Sequence, residues 1–370
     1  MNSSQSDIRC QNGSATSATR RFVFVDALRG IAALAVVLFH ALEGGHIAAL
    51  VKVFPSPFSA VLENGSLGVA IFFVLSGFVI AHSLYDEKMR WSLLGRFMLR
   101  RSIRLDPPYW SAIALTLAFA MLSARIVPGK LPLQFSFAQI LAHMFYLQDI
   151  LRYTNLSSVF WTLCLEVQFY LVYAALLTCS RNDPNKRLQG NYTLAILCSA
   201  CLLSLLWPMG MVTSPLWPGG FLPFWHAFLL GTAAYWSWRN PTLLPFFAVF
   251  ALLIAGFAIF RGEAFSLASA LTAAALSIVT ATRRIYTAFG WRWLQFLGLI
   301  SYSLYLTHNP ITGAVFRVGY ILTGRTTSLE AVWWLVSIGC CVLVAAGSWW
   351  LIERPSIKFA RKISLHPKVS

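Results

Sequence analysis

Ten stretches of this chain are apolar over lengths that could cross a lipid bilayer, and they constrain the fold more than any other feature. A helix needs about 20 mainly apolar residues to span the hydrocarbon core. Because a backbone in lipid must satisfy its own hydrogen bonds, such spans are helices. The sequence therefore predicts an all-α, polytopic membrane helix bundle of about ten transmembrane helices, at 22–43, 66–84, 108–124, 159–179, 191–207, 221–238, 243–260, 264–281, 294–322 and 329–352.

The composition and charge of the chain agree with this class. Hydrophobic residues make up 58% of the 370 residues, whereas charged residues make up only 11% and the net charge is +16. Soluble domains carry about 25% charged residues. In a membrane protein an excess of Lys and Arg is typical of cytoplasmic loops. We therefore expect a lipid bilayer as a partner and no binding of nucleic acid.

The distribution of Lys and Arg also predicts the orientation. With ten spans and a cytoplasmic N-terminus, most basic residues fall in cytoplasmic segments. Counting the short apolar stretch 137–151 as an eleventh span would reverse this, so we interpret it as interfacial or re-entrant. Both termini are then cytoplasmic, with residues 1–21 a disordered tail and 354–370 a basic C-terminal tail.

Arg29 and His40 are costly residues inside the first apolar stretch, and ionisable groups at such depth need a reason to be there. They are eleven residues apart, which is about three helical turns and about 16 Å along one helix face. The pair suits an anion-binding group in line with a base. The alternative is that Arg29 extends to the interface and His40 is a packing residue.

A basic cluster precedes the third stretch. The spacing of Arg96, Arg100 and Arg104 places them on one helix face, with Arg101 beside them, and the prolines at 107–108 are expected to end that helix. A cytoplasmic loop alone could explain such a cluster. A stripe of guanidinium groups, however, also favours phosphate, which it binds through paired hydrogen bonds.

Two further spans carry polar residues. Glu166 is either a structural partner for a donor elsewhere, an orienting group for His40, or a contact to a hydroxylic substrate. The span 298–310 is unusually polar and includes Tyr302, so we expect it to line a cavity. Within it, His308 is a second base or a packing residue, and packing is the preferred interpretation.

Other notable residues in the spans are interpreted as packing. The segment 68–84 carries small residues, among them Ser76 and Gly77, that allow close helix approach. Cys198 and Cys201 have the spacing of a metal or redox motif, but no second pair accompanies them. No metal site is predicted.

Taken together, these motifs resemble the acyltransferase-3 family of integral membrane acyltransferases, which O-acylate bacterial surface polysaccharides, nodulation factors and macrolides. The resemblance extends along the chain in the family's order. Because only residues 354–370 follow Glu353, we expect the stand-alone form, with a transmembrane acyltransferase domain at 22–353. The matching elements are FVDALRGIAALAVVLFH (24–40), FFVLSGFVI (72–80), RRSIRLDPPYW (100–110), FWTLCLEVQFY (160–170), LGLISYSLYLTHNPI (297–311) and ERP (353–355).

The resemblance implies transfer of an acyl group, expected to be acetyl, from cytoplasmic acyl-CoA to a hydroxyl. The acceptor would be a glycan, a lipid-linked saccharide or a macrolide-like metabolite, and the location the bacterial cytoplasmic membrane. By position, His40 is the essential histidine with Arg29 as its partner, Arg101 and Arg104 lie at the coenzyme phosphates, and Glu166 and Tyr170 form the aromatic-acidic motif. The predicted roles are catalytic for His40 and Glu166, donor-binding for Arg29, Arg96, Arg101 and Arg104, and substrate-binding for Tyr170, Tyr302 and His308.

Two other classes of protein stay open. A transporter or flippase for a lipid-linked saccharide would also use about ten spans, a polar cavity and intramembrane charges. Against it stand the lack of a visible internal repeat and the arginines clustered on one side. A sensor or scaffold without chemistry predicts that His40 tolerates replacement.

Overall fold

The computed structural model describes residues 21–126, 134–181 and 186–364, and every regular element in these residues is helical. Short 3₁₀ turns at Gly65–Leu67, Leu222–Phe224, Pro241–Leu243 and Arg284–Tyr286 and a π-helical turn at Trp349–Glu353 join some of the helices. The predicted tail at 1–20 and the end of the C-terminal tail at 365–370 lie outside the described residues. The helices are α1 (Val23–Glu43), α2 (Ala48–Val51), α3 (Ser56–Glu63), α4 (Gly68–Leu84), α5 (Trp91–Ile126), α6 (Phe137–Met144), α7 (Trp161–Arg181), α8 (Lys186–Ser204), α9 (Trp225–Arg239), α10 (Leu244–Arg261), α11 (Ala264–Ala281), α12 (Arg292–Thr323), α13 (Thr327–Ser348) and α14 (Arg354–Lys362).

Seven helical segments of the described chain are long and apolar enough to cross a membrane, and each coincides with a predicted span. The all-α, polytopic bundle is therefore confirmed. The other three predicted spans lie on α8, α9 and α12, which do not meet that criterion. Helix α9 has 15 residues, about 22 Å, and 12 of them are buried, so it is a core helix enclosed by its neighbours. Helix α12 falls short because of its polar residues.

The segment 137–151 does not form a spanning helix. It folds as the eight-residue helix α6, about 12 Å long, followed by turns. His143 ties it down, because Nδ1 bonds the carbonyl of Gln139 at 2.8 Å and Nε2 accepts from the Leu156 N–H at 3.0 Å. Burial lowers the pKa of His143, which favours the neutral ring that this pattern requires. The interfacial or re-entrant placement of the segment stays a prediction.

The expectation that the prolines at 107–108 end a helix is wrong. Helix α5 continues through both and runs for 36 residues, about 54 Å. Two tyrosines from elsewhere in the bundle anchor the helix beside the prolines, since the Tyr302 hydroxyl donates to the Leu105 carbonyl at 3.0 Å and the Tyr146 hydroxyl donates to the Asp106 side chain at 2.9 Å. Helices that pack against protein neighbours in a membrane bundle tolerate proline. The basic cluster therefore belongs to the same helix as the third span.

Helices α1 and α12 run parallel in close contact. A Cβ added to Gly30 would lie 2.8 Å from the Gly298 nitrogen, so only glycine fits at this crossing. Further along the same two helices, the rings of His40 and His308 have centroids 5.2 Å apart. His40 follows Gly30 by the same number of residues as His308 follows Gly298, so the two helices stay in register between the glycines and the histidines.

Helices α4 and α9 form a second close contact. A Cβ at Gly77 would lie 1.9 Å from the Phe228 carbonyl oxygen, and one at Gly231 would lie 1.9 Å from that of Val74. The interpretation of Gly77 as a packing position is confirmed. Small residues let the backbones approach, which drives helix association where lipid removes the hydrophobic effect.

Candidate active site

A cavity of about 80 Å³ lies among α1, α4, α5, α7 and α12, and we call it the arginine pocket. Each helix contributes polar side chains to its wall. Arg29 comes from α1, and Arg101 and Arg104 come from adjacent turns of α5. The other polar lining residues are Ser76, Thr162, Glu166, Tyr170, Tyr302 and Tyr305.

The three guanidinium groups of the arginine pocket lack carboxylate partners. Among the described residues none of the three forms an ion pair within 4.0 Å. Arg101 instead lies over the ring of Tyr170, with its Cζ 4.6 Å from the ring centroid, and the buried Nε of Arg29 has no hydrogen-bond partner. Unpaired, mutually repelling guanidinium groups in a partly enclosed site favour an anionic ligand, phosphate above all.

Two carboxylates lie near the arginines without pairing with them directly. Glu166 accepts hydrogen bonds from Ser76 and Tyr170 through one oxygen. Glu353, which is buried, accepts from the Ser303 hydroxyl at 2.6 Å. Hydroxyl donors therefore hold both carboxylates, and the arginines remain available.

A pair of histidines lies beyond the pocket on the same two helices, and we call His40 and His308 the histidine pair. Tyr305, which lines the arginine pocket, separates the two sites, and its ring centroid is 6.1 Å from that of His308. His40 Nδ1 lies 2.7 Å from Glu43 Oε2. Because a carboxylate only accepts, Nδ1 of His40 carries the hydrogen, and in the neutral ring the lone pair is on Nε2.

The second ring of the pair is buried and partly unsatisfied. His308 Nδ1 bonds the carbonyls of Leu304 and Tyr305 at 3.1 and 2.9 Å, so it carries the hydrogen. His308 Nε2 has no hydrogen-bond partner. The pair thus combines one imidazole backed by a carboxylate with another that has a free acceptor nitrogen, an arrangement suited to proton transfer.

A family model described as an acyltransferase domain, acyltransferase-3, matches residues 22–353. The chain belongs to the acyltransferase-3 family. With seven helical segments able to span a membrane, this member of the family is a multi-pass membrane protein. No solved structure matches the chain.

Several curated proteins are similar to this family member. A putative peptidoglycan O-acetyltransferase, YrhL of Bacillus subtilis, is 26% identical over 348 residues, covering 82% of this chain and 53% of the relative. The peptidoglycan O-acetyltransferase OatA of Listeria monocytogenes is 24% identical, covering 80% and 50%. The exopolysaccharide production protein ExoZ of Rhizobium meliloti is 26% identical, covering 80% and 91%. The chain spans about half the length of the first two relatives.

The structure divides the predicted residues of this family member between two places. Six lie together in the arginine pocket, whereas His40 and His308 form the histidine pair. Arg96 and Arg100 do not line the pocket, although the spacing placed them on one face with Arg104. The six residues in the pocket are Arg29, Arg101, Arg104, Glu166, Tyr170 and Tyr302.

Glu166 does not take the position expected of an orienting group for His40. Its carboxylate bonds Ser76 and Tyr170 in the arginine pocket, whereas the carboxylate at His40 belongs to Glu43. Glu43 can bond His40 because it follows His40 by three residues on α1, and side chains three residues apart in a helix lie on the same face. A catalytic role for Glu166 stays a prediction.

Sequence reasoning missed three polar residues at these sites. Glu43 could have been found from its spacing to His40, and Ser76 was interpreted as packing although it bonds Glu166. Glu353 was known only as part of a motif, and nothing in its spacing places it beside Ser303. No group of three or more potential metal ligands occurs in the described part of the chain.

Proposed function

We propose that this protein is an acyl-CoA-dependent O-acyltransferase of the bacterial cytoplasmic membrane. One observation carries the proposal. Arginines without carboxylate partners in the described chain lie at one end of the parallel α1–α12 contact, and the histidine pair, with Glu43 bonded to His40, lies at the other end. The first site suits the phosphates of a coenzyme and the second suits a base. The similarity to a peptidoglycan O-acetyltransferase and to a protein of exopolysaccharide production supports O-acetylation of a glycan.

The donor binds with its phosphates on Arg101 and Arg104, and Arg29 adds a third guanidinium. Arg96, one turn or more before the pocket on α5, attracts the coenzyme from the cytoplasm. The pantetheine arm extends along α1 for the rise from Arg29 to His40, about 16 Å. The thioester then lies at the histidine pair. Tyr170, Tyr302 and Glu166 complete the wall that the arm passes.

Transfer follows from the protonation pattern of His40. Nε2 takes the proton of the acceptor hydroxyl, and the hydroxyl oxygen attacks the thioester carbonyl carbon. The carbon–sulfur bond breaks, and the proton passes from the imidazolium to the departing thiolate. The products are an ester and free coenzyme A. Glu43 holds the tautomer and stabilises the imidazolium, while His308 borders the same space.

A covalent route uses the same residues, with His40 itself acylated before the hydroxyl attacks. Mass spectrometry of enzyme quenched with acetyl-CoA in the absence of acceptor separates the two routes. An acyl group on His40 identifies the covalent route, and unmodified enzyme identifies direct transfer.

Transfer of radiolabelled acetyl from acetyl-CoA into glycan, in inside-out membrane vesicles, tests the proposal. His40→Ala is expected to lower transfer by about 10²- to 10⁴-fold, the usual contribution of a general base. His82→Ala is the matched control, since His82 is an exposed histidine on α4 away from the pocket. Full transfer by the His40 variant refutes the proposed function.

Binding of coenzyme A distinguishes the rival classes. An acyltransferase is stabilised against heat by coenzyme A, whereas a flippase for a lipid-linked saccharide is not. A sensor or scaffold predicts in addition that His40→Gln leaves function intact. Protease protection of tags placed at each end tests the cytoplasmic location of both termini, on which access of the donor depends.

A further inference from the structure

A second, larger cavity lies at the other end of α12, and we call it the Arg317 pocket. Its volume is about 340 Å³. Helix α5 forms one wall with Thr116 and Ser123, and α12 forms the opposite wall with Asn309 and Arg317. The chain at Leu156–Ser157 completes the lining. None of these residues belongs to the arginine pocket.

Two hydroxyl groups in the Arg317 pocket have no partner among the residues that the structure describes. Thr116 is 8% exposed and Ser157 is 6% exposed, and neither side-chain oxygen forms a hydrogen bond. A buried polar group left unsatisfied costs about 1–3 kcal/mol. Both residues line the cavity, although the two oxygens themselves have almost no accessible surface, so a ligand with hydroxyl groups would supply the missing partners once these side chains rotate toward it.

Arg317 adds a positive charge to the same wall. Its guanidinium donates to the Ser123 hydroxyl, and it forms no ion pair with a carboxylate of the described chain. Arg317 and His46 line the same cavity, and burial, Arg317 and Arg325 together lower the pKa of His46. A guanidinium with free donors binds carboxylate through two parallel hydrogen bonds.

The Arg317 pocket is next to the histidine pair. Asn309 follows His308 directly, and its amide donates to the Ser158 hydroxyl at 2.9 Å. Residues 309, 313 and 317 recur at intervals of four, so one face of α12, which begins one residue after His308, lines the cavity. Neither member of the histidine pair lines the cavity, so a ligand held here would reach the pair past Asn309.

We propose that the Arg317 pocket binds the acceptor, and that the acceptor is a saccharide that carries a carboxylate. The carboxylate pairs with Arg317, while sugar hydroxyls bond Thr116, Ser157 and Asn309. These three neutral groups accompany the one guanidinium of Arg317. This set suits a sugar residue, which presents several hydroxyls and one carboxylate, better than it suits a phosphate group. This assignment rests on the proposed function, because it takes the histidine pair to be the site of transfer.

Binding of two matched trisaccharides tests the assignment without any acyl donor. Calorimetry on the full chain in phosphatidylcholine nanodiscs compares trigalacturonate with the neutral galactotriose of the same linkage. Trigalacturonate is expected to bind more tightly. Arg317→Gln is expected to weaken it by about 10- to 100-fold, the value of a charged hydrogen bond, and Thr116→Val by a few-fold. Arg261→Gln, which removes an exposed arginine outside the pocket, is the control and leaves affinity unchanged.

Three results overturn the assignment. The first is equal affinity for the two trisaccharides, or no binding of either at millimolar concentration. The second is equal behaviour of the Arg317 and Arg261 variants. The third is loss of the Arg317-dependent affinity in nanodiscs that contain phosphatidylglycerol, because a lipid phosphate then occupies the arginine. Coenzyme A binding and acetyl transfer are measured separately, so their failure alongside Arg317-dependent binding refutes only the proposed function.

Discussion

The four arginines in the first half of α5 provide the sharpest test of donor binding, because sequence spacing and structure divide them differently. Arg96, Arg100 and Arg104 recur at intervals of four residues, and this spacing places them on one helix face. The structure instead places Arg101 and Arg104 in the arginine pocket and leaves Arg96 and Arg100 outside its lining. Adjacent residues of one helix, Arg100 and Arg101, therefore form a matched pair with opposite expectations.

The expected magnitude follows from the environment of each guanidinium. Arg101 lies over Tyr170 with no carboxylate partner in the described chain, so Arg101→Gln removes one charge-assisted hydrogen bond to phosphate. Such a bond contributes about 1.5–3 kcal/mol, which raises the Kd for coenzyme A by about 10- to 150-fold. Arg100→Gln removes only a screened attraction, and we expect a change of about threefold or less. Arg101→Lys keeps the charge without the planar fork and is intermediate.

Calorimetry in nanodiscs with coenzyme A and dephospho-coenzyme A measures these changes. If Arg101 binds the 3′-phosphate, the penalty of Arg101→Gln vanishes with the dephospho form, and if it binds the pyrophosphate the penalty remains. Thermal unfolding of each variant controls for the lost contact with Tyr170. Equal effects of Arg100→Gln and Arg101→Gln, or a larger effect at Arg96, refute the assignment of the arginine pocket to the donor.

Three further predictions follow. Glu43→Gln lowers the rate of transfer by about tenfold or more while the KM for acetyl-CoA stays constant, because Glu43 bonds His40 and does not line the arginine pocket; a change in KM alone contradicts this role. Gly77→Ala destabilises the protein by about 1–3 kcal/mol, measured as a lower Tm, because its Cβ meets a carbonyl of the facing helix, whereas Gly256→Ala, with nothing within 4 Å, leaves the Tm unchanged or higher. Burial and two nearby arginines lower the pKa of His46 in the folded state. The stability that the neutral ring contributes is therefore present above its unfolded pKa of about 6.5 and is lost as the pH falls below that value. His46→Gln should flatten the dependence of Tm on pH between about 7 and 5, and an unchanged slope refutes this prediction.

Much of the fold could be predicted from the sequence, because membrane helices leave a strong local signal. Ten stretches were predicted to span, and seven coincide with helical segments that meet the length and hydropathy criterion. Helix α9 differs for a tertiary reason: at 15 residues it is enclosed by other helices, and burial in protein resembles burial in lipid in a hydropathy pattern. The prolines of α5 differ because the helix around them is packed in the bundle and anchored by Tyr302 and Tyr146, and no local pattern contains those contacts.

The sequence predicted which residues belong to the candidate site, but it did not predict which of them bond or contact each other. Residues at helical spacing, such as Arg29 and His40, follow from helix geometry alone. Contacts between helices do not, so the bond from Ser76 to Glu166 and the approach of His308 to His40 required the three-dimensional arrangement. The pairing of His40 with Glu43 is the exception, since it lies within one helix.

The parallel contact of α1 and α12 gives these separate observations a common cause. Gly30 and Gly298 bring the two backbones together near the arginine pocket, and the register set there determines which residues meet three turns later. His40 and His308 meet because both lie ten residues beyond their glycine. The proposed donor site and the proposed base lie on one continuous pair of helices and keep a fixed separation, since no loop lies between them. On this proposal the distance that the thioester must reach is set by helical rise, and residues beyond the histidine pair on α12 line the proposed acceptor site.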